Sequence, residues 1–263
     1  MSCEIHALWI GPRLGWIERL CFQSMMAHGH QLVLWTYAPV DGIPEGIENR
    51  SAEDILSSRV IVRDPTTGSV GSPFSDRFRY RLLQQNPGGT WVDADILMLR
   101  PIESGAPYLF GRQSDDLING AVLRLPRRSR VLRDLSRLTS ARVPVPHWWP
   151  AAQRRKQRWD GLIGRHQKAQ DMPWATMGPY ALTATLRRYG LEGEAQPIAA
   201  FYPIHWSETS LFFGPPEAVE AKIGPDTFAV HLWNNVLGER RREPPPPGSW
   251  LAAMCERYDV ALP

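Results

Sequence analysis

The chain reads as an α/β protein built on a mostly parallel sheet, and three features predict it. "IHALWIG" (5–11) and "QLVLWTY" (31–37) are short apolar runs of strand character. Between them "WIERLCFQSMMAHG" places Ile17, Leu20, Cys21 and Ser24 at helical spacing. Strand, helix and strand with short connections make a βαβ unit, whose strands must run parallel. The third feature is "TWVDADILML" (90–99), which reads as a strand with "DAD" toward its carboxyl end. Open α/β sheets bind their ligands at that edge.

The elements follow in order. "GPRLG" is the turn after the first strand, and Gly29 is a C-terminal stop for the first helix. "SAEDILSS" carries a capping box from Ser51 to Asp54 and predicts a short helix. "VIVRD" predicts a brief strand and "TTGSVGS" a flexible loop. In "SPFSDRFRYRLLQQN", Ser72 and Pro73 suit N-cap and N1, while Phe74, Phe78 and Leu82 form a buried stripe. Pro87, Gly88 and Gly89 end that helix.

The second half is more irregular and more helical. "NGAVLRLP" predicts a strand, and "RRSRVLRDLSRL" a helix with apolar Val131, Leu135 and Leu138. "PVPHWWPAAQRRKQRWDGLIGRHQK" is basic and tryptophan-rich and predicts a helix or lid. "GPYALTATLRRYG" is a helix begun at Gly178 and Pro179 and stopped at Gly190, and "FAVHLWNN" (228–235) is a last strand with an aromatic end. With no internal repeat, residues 1–243 are expected to form one domain, and 244–263 a proline-rich linker with a short tail helix.

Composition narrows the function. The chain has 263 residues, 43% apolar and 22% charged, which is ordinary for a globular protein and unlike a disordered one. A net charge of +3 does not argue for nucleic acid, and no recognition module is visible. Three scattered cysteines (3, 21, 255) exclude a disulfide framework and a zinc cluster and suit a reducing cytoplasm. No signal peptide and no membrane-spanning apolar run of roughly 20 residues is expected. Of the 11 tryptophans, some should line a groove. Phosphate-loop, nucleophile-elbow and Gly-x-Gly-x-x-Gly signatures are missing.

The chemistry centres on Asp93 and Asp95. On one strand their carboxylates would share a face about 6.5–7 Å apart, and aspartate is depleted from strands. Such a pair suits a hard divalent cation, Mg²⁺ or Mn²⁺, though polar turn residues would also fit. Asp76 and Arg79 are i and i+3 on one helix face: either a surface ion pair or two groups turned to the same pocket. His231 and Trp233 would share a strand face, where an imidazole can complete a metal site and an indole N–H can donate to phosphate. A satisfied core histidine is the alternative. Trp9 is either core or a platform for a base.

"LWIG", a helix, "GHQLVLWTY" and then "SDRFRYRLLQQNPGGTWVDADILMLRP" resembles the DXD-motif glycosyltransferases of family 32 type. That group includes capsule and lipopolysaccharide sugar transferases and, more distantly, the large glucosylating toxins. The motif order matches from residue 6 to about 102, then more loosely through "GPYALT" to "HLWNN". The resemblance implies a GT-A (Rossmann-like) nucleotide-sugar-binding fold, a nucleotide-sugar donor and Mn²⁺ or Mg²⁺. By position it implies that Trp9, with Ile10 and Gly11, meets the uracil, and that Asp76, Arg79 and Tyr80 hold the donor sugar. Asp93 and Ala94 would meet ribose and sugar hydroxyls, and Asp95 the metal that bridges the diphosphate. His231, with Trp233 and Asn234 beside it, would close on metal and phosphates.

The function expected is transfer of a hexose, with UDP-hexose as the expected donor, to a glycan or lipid-linked acceptor with retention, in the manner of polysaccharide biosynthesis. A non-catalytic nucleotide-sugar or glycan-binding module is the main alternative. A glycoside hydrolase fits less well, because its two carboxylates must flank the scissile bond. The tryptophans and arginines of the stretch from Trp148 to Trp159 are expected either to border the acceptor and touch a membrane peripherally at its cytoplasmic face, or to be a solvated helix with core tryptophans.

Overall fold

Eight strands are present among the described residues: β1 (Glu4–Trp9), β2 (Gln31–Thr36), β3 (Glu48–Ser51), β4 (Thr90–Val92), β5 (Ile96–Met98), β6 (Leu109–Ser114), β7 (Leu117–Arg124) and β8 (Ala229–His231). The structure, a computed structural model, describes residues 3–62, 70–86, 88–103 and 105–262. Six strands make the main sheet in the order β3-β2-β1-β4-β7-β6, and β5 and β8 pair apart from it. β3, β2, β1 and β4 run parallel, while β7 lies antiparallel between β4 and β6. All but β7 therefore point the same way, which is the mostly parallel α/β sheet expected of a Rossmann-like GT-A fold.

The helices are α1 (Trp16–Ala27), α2 (Ser72–Gln85), α3 (Arg130–Ser140), α4 (Ala151–Leu162), α5 (Pro179–Arg188), α6 (Ile198–Phe201), α7 (Pro216–Glu220), α8 (Asn234–Leu237) and α9 (Trp250–Arg257). The βαβ unit is β1-α1-β2, in register from Glu4 opposite Gln31 to Trp9 opposite Thr36. Gly29, at φ +80°, supplies the left-handed turn that returns the chain from α1 to the sheet.

Alternate side chains of β1 and β2 enter two cores, as a period of two requires when both faces of a sheet are covered. Ile5, Ala7, Leu32 and Leu34 pack on one side with α1, α9 and the β5–β8 pair. Val33 and Trp35 pack on the other with α2, α3 and α5. Phe78 of α2 is fully buried between Trp35 and Trp91, with ring centroids 6.5 and 6.1 Å away. Truncating it to alanine would cost about 3–5 kcal/mol. At the far end of the chain, Trp250 of α9 stacks on Phe212 at 5.6 Å and is buried in the first core.

Several local expectations are corrected. "TWVDADILML" is not one strand: β4 stops at Val92, and the Ile96 N–H closes a turn on the Asp93 carbonyl at 3.2 Å. β5 then pairs with β8 in a different sheet, so the two aspartates sit on a turn and not on one strand face. Two carboxylates fit a turn better than a pleated face. "FAVHLWNN" is extended only through His231, because Trp233 adopts φ +58° and starts α8. "SAEDILSS" forms a 3₁₀ turn at Ala52–Asp54 without a Ser51 side-chain cap, since Ser51 ends β3. Val60 ends another 3₁₀ turn where a strand was expected. Ile61 and Val62 follow without strand pairing, and residues 63–64 of that stretch and 66–69 of the expected loop lie outside the described residues. α2 begins one residue earlier than expected, with Gly71 as its N-cap and Ser72 as its first residue.

Candidate active site

The sequence runs β1, β2, β3 outward in one direction, and β4 then lies on the opposite side of β1. The strand order therefore reverses between β1 and β4, and a crevice opens at their carboxyl ends. Trp9 ends β1 there and Gly11 lies just beyond it, and Asp93 follows β4.

Asp93 is pinned to the main sheet, its N–H donating to the Ala121 carbonyl at 2.7 Å. Its carboxylate accepts from Arg79 Nη2 at 3.0 Å and from the Trp91 indole N–H. Arg79 is buried, lies over the Trp91 ring at 5.2 Å and faces Asp76 at 3.7 Å. The Asp76–Arg79 pair is thus a buried group beside the "DAD" turn and not a surface pair. A Cβ on Gly120 would come within 2.7 Å of Arg79 Nη1, and one on Gly178 within 2.8 Å of the Asp76 carboxylate. Both glycines leave room for these side chains.

Asp95 faces the other way, toward the C-terminal segment. The Leu232 N–H donates to its carbonyl at 2.9 Å, and the β5–β8 register sets Ile96 opposite His231. His231 Nε2 lies 3.3 Å from Asp95 Oδ1, and the Asn234 backbone N–H donates to Oδ2 at 2.9 Å. Asn234 Nδ2 in turn donates to Glu18 Oε1 at 2.7 Å, while Glu18 Oε2 accepts from the Gly15 N–H at 2.9 Å. One buried carboxylate therefore ties the start of α1 to the chain that follows β8.

The charges do not balance. Three carboxylates, Asp76, Asp93 and Asp95, meet one guanidinium, Arg79, and one imidazole, His231, so the acidic side chains outnumber the basic ones. Burial pushes the Asp76 carboxyl up to about 6 against the pull of Arg79. Burial likewise raises Asp93, with Arg79 offsetting only part of it. Burial opposes charge on Asp95 as well, yet His231 and the Asn234 N–H outweigh it and hold that carboxyl below the ordinary range.

Asp93, Asp95 and His231 each offer a ligand atom, all within 4.8 Å of one another. Two hard oxygens and an imidazole suit Mg²⁺ or Mn²⁺, and a divalent cation would cancel the excess charge. Within the cluster, Tyr80 Oη, His231 Nδ1 and Asn234 Oδ1 are buried polar atoms without a partner among the described residues. Native interiors leave few such atoms unpaired, which fits a site that receives polar ligands. A cleft of about 290 Å³ opens beside Tyr202, lined also by Gln113, Ser114, His205 and Glu208.

The structure brings Asp76, Arg79, Tyr80, Asp93, Asp95, His231 and Asn234 together. Trp9 is half-buried, its indole folded over Gly11. Ile10 and Ala94 are half-buried against the second and first cores. Trp233 differs from expectation: its indole N–H is already donated to the Ile204 carbonyl at 2.9 Å, so it is not free for a phosphate. It packs instead on His231, centroids 3.9 Å apart. Sequence reasoning missed Trp91, Tyr202, Glu18, Gly120 and Gly178 in these roles. Only Glu18 carried a signal, as an acid three residues past the helix N-cap.

Residues 170–258 match the family model described as the alpha 1,4-glycosyltransferase conserved region. The match holds Gly178, Tyr202, His231 and Asn234, the C-terminal wall of the site. No curated protein matches the chain significantly. No helix among the described residues is long and apolar enough to cross a membrane. With that match and this site, the chain is a glycosyltransferase, an enzyme that takes a sugar from an activated donor to an acceptor.

Proposed function

We propose that the protein is a metal-dependent hexosyltransferase of the DXD type that moves a hexose from UDP-hexose to a hydroxyl of a glycan or lipid-linked acceptor with retention. Residues 1–243 form the catalytic unit in this reading, with 244–263 as linker and tail. The observation that carries it is the Asp93–Asp95–His231 cluster with its excess negative charge, set where the parallel sheet reverses its strand order.

Asp95 and His231, with Asp93, hold Mn²⁺ or Mg²⁺ at the diphosphate. The cation, when bound, neutralises the diphosphate and acts as a Lewis acid on the leaving group. Asp95 is suited to this because its surroundings keep it ionised. Asn234 fixes the orientation of the Asp95 carboxylate, and Glu18 fixes Asn234. Asp76 and Arg79 line the donor sugar, with Arg79 shared between Asp76 and Asp93 so that both carboxylates keep one geometry. Trp9 offers its indole face to the base. The cleft beside Tyr202 admits the acceptor. Retention follows from the likeness to family 32, in which the hydroxyl attacks on the face the diphosphate leaves.

A screen of nucleotide sugars with Mn²⁺ and no acceptor tests the reading through slow release of nucleoside diphosphate. Release from a UDP-hexose that stops in chelator is the expected outcome. No release from any nucleotide sugar, with or without metal, would overturn it.

A further inference from the structure

α4 is turned inside out. Its one buried side chain is Gln157, whose amide donates to the Pro144 and Gln167 carbonyls at 3.1 and 2.7 Å. The Gln167 N–H returns a hydrogen bond to Gln157 Oε1 at 3.1 Å. Gly161, one turn on, completes this inner side, since a Cβ there would meet Val143 at 2.9 Å. At 100° per residue, Arg155, Trp159, Leu162 and Ile163 point the opposite way. Trp159 is 65% exposed, Leu162 81% and Ile163 52%. A helix facing only water places its apolar side chains inward and its polar ones outward, so this pattern requires a second apolar phase.

The charge around the patch says which phase. Between residues 151 and 168 the cations are Arg154, Arg155, Lys156, Arg158, Arg165 and Lys168, against one acid, Asp160, which pairs with Lys156 at 2.5 Å. Apolar side chains ringed by cations match an anionic bilayer surface, whose headgroups take the charge while indole and leucine enter the acyl boundary. A second exposed tryptophan lies close to the active site. Trp174, 69% exposed, stands four residues before Gly178, which abuts the Asp76 carboxylate. Four residues span at most about 14 Å.

We infer that the outward face of α4, with Trp174, docks the enzyme on an anionic lipid bilayer and brings the donor site to an acceptor at the membrane surface. This deepens the lipid-linked acceptor reading and rests on it. The notched inner face of Gln157 and Gly161 holds the helix to the body of the protein, which leaves Trp159, Leu162 and Ile163 free to insert.

Sedimentation of the whole protein with vesicles tests the inference without turnover. Vesicles of phosphatidylcholine with phosphatidylglycerol should bind the protein, and vesicles of phosphatidylcholine alone should bind it at least about tenfold less. The exposed-residue variant Trp159→Ala/Leu162→Ser/Trp174→Ala should lose anionic-vesicle binding at least about tenfold. Arg155→Glu/Arg158→Glu should weaken it similarly and flatten its salt dependence. All variants should keep the wild-type release of nucleoside diphosphate from donor in solution. Failure of the wild-type protein to bind anionic vesicles would overturn the inference, as would unchanged binding by the triple variant. A dimer in solution that Trp159→Ala converts to monomer would also overturn it, since a second copy would then cover the patch. Vesicle binding without nucleotide-sugar turnover would instead defeat the glycosyl-transfer reading and leave the docking face standing.

Discussion

Asp93 and Asp95 stand two residues apart and belong to different halves of the molecule. Asp93 is held by Arg79 and Trp91, 14 and 2 residues away in sequence, and by the main sheet. Asp95 is held by His231 and by Asn234, 139 residues away, which Glu18 steadies across 216 residues. Their chemistry divides in the same way, since burial wins at Asp93 and raises its carboxyl while the imidazole and an N–H win at Asp95 and lower it. One side is a wall built on the main sheet, in which a single guanidinium serves two carboxylates. The other is a joint that exists only when the C-terminal segment has closed on the sheet.

Removing the cation from the Asp93 side should have the largest effect. Arg79→Ala leaves Asp76 and Asp93 facing each other in the interior, and loss of one partner from a buried pair costs about 3–5 kcal/mol. Denaturant unfolding should show that loss, and nucleotide-sugar binding should fall more than binding of bare UDP. Equal losses for the two ligands would make Arg79 purely structural.

The Asp95 side should respond in metal binding before it responds in folding. Glu18→Ala removes the acceptor of the Asn234 amide, and loss of an outer partner of a metal ligand weakens affinity about 10–100-fold. Calorimetric titration of Mn²⁺ reads this directly. An unchanged affinity would reduce Glu18 to a cap for α1.

A smaller effect separates the two sides by pH. Folding raises the Asp76 carboxyl from its ordinary value to about 6, so the folded protein holds that proton more tightly than the unfolded chain. The stabilisation is full below pH ~4 and is lost as the pH rises through about 6. In chelator, Asp76→Asn should therefore be more stable than the wild type at pH 8, by on the order of 2 kcal/mol, and should gain nothing at pH 4. Thermal midpoints at the two pH values check it, and a gain of equal size at both would contradict the assignment.

The same division explains what could be read in advance. The parallel sheet, α1 and α2 were legible, because their signals are local: apolar periodicity, Pro73 near a helix start, and glycines after its end. The Asp76–Arg79–"DAD" grouping came from the family resemblance, since the residues alone left a surface ion pair open. The break of the strand at Val92 was not, because it depends on β8 arriving from more than 130 residues away to pair with β5. The left-handed Trp233 and its bond to Ile204 were hidden for the same reason. The roles of Gly120 and Gly178 appear only when Arg79 and Asp76 are packed against them. For α4, composition announced tryptophans and arginines together, but only the burial of Gln157 revealed which side faces outward.

In the proposed function a divalent cation closes the gap between the two sides. Titration calorimetry of UDP into the protein, once with Mn²⁺ and once in chelator, tests it most directly, with Asp95→Asn run beside the wild type. The wild type should bind at least about 100-fold more tightly with metal, because a diphosphate otherwise meets uncompensated carboxylates, and Asp95→Asn should lose that difference. Equal affinity of the wild type with Mn²⁺ and in chelator would contradict the claim.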